Sequence, residues 1–285
     1  MSQPVMLYAW AIPAWESESP VDHTWVTSYD NRIHAYPTIT EVVAANQFLW
    51  YCWGSFHAAG GTPANRSGAL GQQSGDLTVA QCLVRPNVDS RTIPAARGTI
   101  YQYGVDGVCH QLANQALYAT GIGASAPLTV HNARGYLLSN FIYGTYGLQH
   151  SAWAAKIASC TGASLVARAA RPGGLTMTSD EQAPAPDEFE RRAAELLAQD
   201  PRTLARLLQL RAEVQNFAAR AWPGTGQPSA QTLNSRNQHL IDEAARLLGP
   251  DNFKKLFGAD PAARVTLVDP HIASSAGEIP PPKMR

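Results

Sequence analysis

The run "GVDGVCHQLANQALYATG", residues 104–121, sets a cysteine beside a histidine where a helical pattern begins. A thiol attacks carbonyl carbon only as its thiolate, and a helix start favours that form through its free N–H groups and positive dipole end. From Val108 onward, Leu112, Ala113, Ala116 and Leu117 recur at helical spacing and form one apolar stripe. Asp106 is the expected N-cap, setting Cys109 at the third helical position, with Gly121 as the expected C′ residue. The chemistry on offer is attack by Cys109 on an acyl group. The plain alternative is a core cysteine, since a free thiol packs as a small hydrophobe.

A nucleophilic cysteine needs a base, and the chain holds eight histidines. His110 lies about 100° round the helix from Cys109 and is expected to point away from it. His131, followed by Asn132, and His150 come after the cysteine; His57 has no distinguishing neighbours, and His239 and His271 read as surface residues. His23 stands in "HTWVTSYDNRIHAYP", where polar residues alternate with large or β-branched ones up to Tyr29 and resume after Asp30-Asn31. A tight turn at Asp30-Asn31 pairs Thr27 with His34 and sets His23 and His34 on one face of a hairpin, at surface-facing positions. A tip at Ser28-Tyr29 would instead bring the two histidines opposite one another. Polar residues on an open sheet face are the alternative for both.

A histidine early on one strand, a second near the end of the next, and much later a cysteine opening a helix resemble the circularly permuted papain-like superfamily. The closest likeness is to the lecithin:retinol acyltransferase and NlpC-type groups. The resemblance implies an α+β permuted papain-like domain, with an antiparallel sheet packed on the nucleophile helix. It implies Cys109 as nucleophile, His23 as general base and His34 as the group that orients it. The family's asparagine before the cysteine is Val108 here. The implied activity is a thiol-dependent hydrolase, an amidase or peptidase, working through an acyl-thioester on Cys109. An acyltransferase or lipase-like thiol enzyme, and a catalytically inactive papain-like binding module, are the alternatives. The substrate is an amide or ester, and no cofactor or metal is implied.

The elements that must position these residues fall in two parts. Residues 1–170 are rich in Gly, aromatic and β-branched residues and form the expected catalytic domain. Residues 171–188, "RPGGLTMTSDEQAPAPDE", read as a linker. Residues 189–258 carry apolar residues at three- and four-residue spacing in three segments, a helical module that serves as a partner surface, a lid or a structural appendage. Residues 259–285 read as an extended tail, frayed at its end. Within the first domain, residues 57–77 read as a long irregular loop, and the aromatic stretches "FLWYCWGSF" and "ARGYLLSNFIYGTYG" as either the lining of an acyl groove or ordinary core.

Acidic and basic residues balance at 22 each, without the basic patch of a nucleic-acid binder. No apolar run approaches the ~20 residues of a membrane span. The opening "MSQPVMLYAWAIPAWESES" lacks the basic leader of a secretory signal. The scattered Cys52, Cys82, Cys109 and Cys160 suit neither a zinc site nor a disulfide framework. A cytoplasmic protein, or one exported without a cleaved signal, is expected. A protein partner at the C-terminal helices is the one macromolecular contact to look for.

Overall fold

The computed structural model describes residues 5–13, 19–27, 51–52, 62–63, 69–73, 104–105, 107–111, 113–114, 129–148, 187–220 and 228–270. Most of these are helical. The strands are β1 (Val5–Pro13), β2 (Asp22–Thr27), β3 (Tyr51–Cys52), β4 (Thr62–Pro63) and β5 (Ala69–Gln73). They form one sheet in the order β3-β2-β1-β4, with β5 also on β1, and every pairing is antiparallel. The apolar and β-branched content of β1 and β2 suits a pleated, buried surface. The small Ala9 and Ala11, two positions apart on one face of β1, are buried.

Two sequence expectations change here. The irregular loop at 57–77 contains β4 and β5, whose partner β1 lies far upstream, so no local pattern announces them. The pairing of Thr27 with His34 is replaced: Thr27 has Tyr8 on one edge and Tyr51 on the other, and a strand has only two edges. His34 itself, with the turn residues before it, lies outside the described residues.

The helix α1 (Tyr136–Tyr143) is buried at every one of its eight positions. It starts after Gly135, whose φ is +73°, and a Cβ there would come within 2.7 Å of Val21. Only glycine fits that corner. Most of the stretch "ARGYLLSNFIYGTYG" is therefore buried around this helix, with Arg134 exposed at its start. Around α1 pack α2 (Glu188–Leu196), α3 (Pro201–Arg220) and α4 (Ala230–Phe257). Asp187 and Glu190 close a capping box at the start of α2. Asp200 accepts from the Thr203 N–H at 3.0 Å ahead of Pro201, and Ser229 caps α4. Inside α4, Gly249 (φ 70, ψ 166) and Pro250 break the helical path, so the single helix expected across them is two pieces with a kink.

One hydrophobic core joins residues of β1, α1 and α2 to α4, including Ala9, Phe141, Phe189, Phe253 and Phe257. The Phe141 ring lies 5.5 Å from Phe189 and 5.9 Å from Phe257, centroid to centroid. The helices at 188–257 thus share their apolar interior with α1. Residues 171–186 of the expected linker lie outside the described residues; its last two, Asp187 and Glu188, are the cap and first residue of α2. Beyond α4 the chain is docked as far as it is described. The Val265 N–H donates to Gln238 Oε1 at 2.8 Å, and Asn234 bonds both backbone groups of Val268, at 2.8 and 2.9 Å.

Candidate active site

Backbone geometry along β2 sets the site. In antiparallel pairing one residue's N–H and C=O point to the same side, and alternate residues point to opposite sides. Asp22, Thr24 and Val26 therefore share an edge of β2, and β3 occupies it at Val26. At Asp22 the edge is taken by other groups. Its N–H donates to the Arg134 carbonyl at 2.9 Å, and its own carbonyl accepts from His110 Nε2 at 2.9 Å, with Cys109 Sγ at 3.9 Å. The Asp22 carboxylate fastens the same junction, accepting from the Arg134 N–H and Nε at 2.9 and 2.8 Å.

The helix begins at Cys109, two positions later than an Asp106 cap would place it. Val108 takes the cap position. Its N–H donates to Gln111 Oε1 at 3.0 Å, the half of a capping box that needs no cap side chain. Asp106 lies outside the described residues. The expectation that His110 points away from Cys109 also gives way. Both side chains reach the Asp22 carbonyl, because the strand edge crosses the helix start and the longer imidazole spans the angular gap.

His110 is fully buried. Its Nδ1 lies 2.8 Å from Ser139 Oγ on α1, and its ring meets Tyr136 edge-on at 5.9 Å. Gln111 Nε2 donates to Ser139 Oγ at 3.3 Å and to the Gly144 carbonyl at 3.0 Å. Asn114, one turn further, donates to the Thr145 carbonyl at 2.9 Å and accepts the Val130 N–H at 3.0 Å. A polar seam of His110, Gln111 and Asn114 thus ties this short helix to α1. Glutamine and asparagine at those positions are visible in "CHQLAN", but nothing in the sequence says that they face a second helix.

Cys109 is 3 % exposed. Burial pushes its thiol up to about 11; the Thr24 amide and hydroxyl and the His110 N–H pull the other way, and the Asp269 carboxylate adds to the rise. The helix start alone argued for a thiolate; desolvation outweighs it, and the resting thiol is protonated at neutral pH. Burial likewise lowers His110 to about 4 against the opposing pull of the Asp22 carbonyl and carboxylate, so its ring is neutral.

His23 lies between the two β2 residues that touch the thiol. It is 2 % exposed, buried instead of surface-facing. By strand alternation its ring leaves the face opposite to the Thr24 side chain. His131 Nδ1 stands 3.1 Å from the Thr129 carbonyl and 3.3 Å from its hydroxyl, held by its own turn. His239 is an exposed helical residue 3.5 Å from Glu243. His57, His150 and His271 lie outside the described residues, as do Cys82 and Cys160. Among the described residues no group of three or more His, Cys, Asp or Glu could hold a metal ion, and no helix is long and apolar enough to cross a membrane.

These shifts predict how stability depends on pH. Between pH 9.0 and about 11 the folded chain keeps a proton on Cys109 that the unfolded chain has released, so stability falls as pH rises through that window. Between pH 6.5 and about 4 the unfolded chain takes up a proton that buried His110 refuses, so stability also falls as pH drops. Each window is worth roughly 3 kcal/mol. Urea midpoints measured across both should show the two losses. Cys109→Ser should flatten the alkaline one, and an unchanged alkaline slope in that variant would refute the assignment to this thiol.

No family model, curated protein or solved structure matches this chain.

Proposed function

We propose that this chain is a thiol-dependent hydrolase of the permuted papain-like type, acting on an amide through Cys109 with His23 as general base. One observation supports the reading above the others. Cys109 opens a helix whose start abuts the β2 edge at Asp22 and Thr24, the two neighbours of His23. In the resting fold the His23 ring leaves the face of β2 opposite to Thr24, so this reading requires that the opening of the site by substrate bring it within reach of the sulfur. There it takes the thiol proton and the sulfur bonds to the acyl carbon. The amide nitrogen then leaves with the proton that the imidazolium returns, and water cleaves the thioester to a carboxylic acid and the free thiol. The Thr24 donors, which favour the thiolate, serve the first step once substrate binding opens the site and lifts the cost of burial. An acyltransferase shares every step up to the thioester and differs only in the acceptor. The working compartment of this reading is the cytoplasm, where the thiol stays reduced.

The inactive binding module is the second reading, and the buried, protonated thiol favours it. An electrophilic amide- or ester-mimicking thiol probe separates the two. On the hydrolase reading, intact-mass analysis finds a single adduct that maps to Cys109 and vanishes in Cys109→Ser. Iodoacetamide, which has no acyl group with which to open the site, should react with Cys109 in the folded protein more slowly than with an unfolded cysteine. A protein that takes up the acyl probe on no cysteine, or equally on all four, overturns the hydrolase reading.

A further inference from the structure

We infer that Ser139 is a positioning residue that donates its O–H to His110 Nδ1 and so holds His110 as the neutral tautomer protonated at Nε2. His110 Nε2 faces the Asp22 carbonyl at 2.9 Å, and a carbonyl oxygen only accepts, so Nε2 carries a proton. A second proton on Nδ1 would make a fully buried cation. In the neutral ring Nδ1 is a bare acceptor, and its partner at 2.8 Å is the Ser139 hydroxyl, which must donate.

The neighbours agree with this direction. Gln111 Oε1 accepts the Val108 N–H, which turns the Gln111 amide nitrogen toward two oxygens, Ser139 Oγ at 3.3 Å and the Gly144 carbonyl at 3.0 Å. Ser139 thus accepts from Gln111 and has one proton to give. The competing acceptor is the Tyr136 carbonyl, 2.9 Å away. That carbonyl sits inside α1, where the amide four residues on supplies a partner. Sending the hydroxyl proton there would leave Nδ1 facing a lone pair.

Among the described residues, the charged and titratable groups around the ring are few. From β2 comes Asp22, its carboxylate paired with Arg134; from the ring's own helix, the neutral thiol of Cys109; from α1, the Tyr136 phenol. The low His110 value agrees with a neutral ring. One consequence rests on the hydrolase reading: with Nε2 already protonated, His110 cannot take the Cys109 proton in the resting state.

Long-range proton–nitrogen correlation spectra of the full chain, labelled with 15N-histidine and assigned with His110→Gln, test the assignment directly. The expected His110 pattern is one protonated nitrogen, Nε2, and one bare nitrogen, Nδ1, from pH 8 down to about pH 5. A proton on Nδ1, or on both nitrogens, at pH 7 overturns it. In Ser139→Ala the neutral ring loses a donor, so the His110 titration should move up by about one unit, and Ser139→Thr should restore it. A role in packing alone would lower stability in Ser139→Ala without moving that titration, and this outcome also overturns the proposal. Should Ser139→Ala fail to fold, the wild-type spectrum still decides. No turnover enters the measurement, so its failure is distinct from failure of the Cys109 adduct experiment.

Discussion

Arg211→Ala should lower folding stability by about 3 kcal/mol, read as a fall in the urea midpoint at unchanged slope. Arg211 is 7 % exposed. Its guanidinium donates to Glu190 at 2.9 Å, to Asn140 Oδ1 at 2.7 Å and to Asp187, and lies 4.8 Å from the centre of the Phe189 ring. It therefore joins the first turn of α2 to the middle of α1 from a seat on α3. Removing it leaves Asn140 Oδ1 buried without that donor and the carboxylate of Asp187 without its cation. A buried pair broken from one side costs about 3–5 kcal/mol. Asp187 and Glu190 keep partial access to water, at 24 % and 39 % of their side chains, which sets the expectation at the low end. Arg211→Lys should recover only part of the loss, because one ammonium cannot serve three acceptors in a plane. A loss below about 1 kcal/mol in Arg211→Ala would show that this junction is solvated and not a structural tie.

The second large effect concerns His23. If His23 is the base, His23→Gln should slow acylation of Cys109 by the acyl probe ~10²–10⁴-fold. Glutamine is the informative substitution: His23 is buried, so alanine would also open a cavity and confound rate with stability. The rate is read from the growth of the Cys109 adduct by intact mass, with thermal unfolding as the control for folding. His131→Ala should leave that rate close to wild type, since its ring is held by Thr129. The unpermuted papain-like order makes the opposite demand, a base after the nucleophile at His131 or His150. Normal acylation in His23→Gln together with a large loss in either of those variants would overturn the permuted assignment and leave thiol catalysis standing.

The helices α2 to α4 were legible because their signals are local. Apolar spacing in "FERRAAELL" and "LARLLQLRAEV" acts within a turn or two of chain. The kink at Gly249-Pro250 was equally local, a Gly-Pro pair inside an apolar period that the period alone overruled. The strands β4 and β5 were not legible, since their stability comes from β1, more than forty residues upstream in the chain, and their own residues carry little alternation.

At the site, the sequence alone determined that a cysteine and a histidine share a helix start, and that glutamine and asparagine follow at spacings able to face one neighbour. Tertiary structure decided what those groups experience. A helix start pulls a thiol toward thiolate and burial pulls it toward the neutral form, and here desolvation is the larger effect. Angular separation on the helix likewise set where His110 begins but not where it ends, because the Asp22 carbonyl that draws both side chains is placed by pairing between β1 and β2. Propensity and capping act over a few residues and are written in them; burial and the direction of a hydrogen bond belong to groups that meet only after the chain has folded.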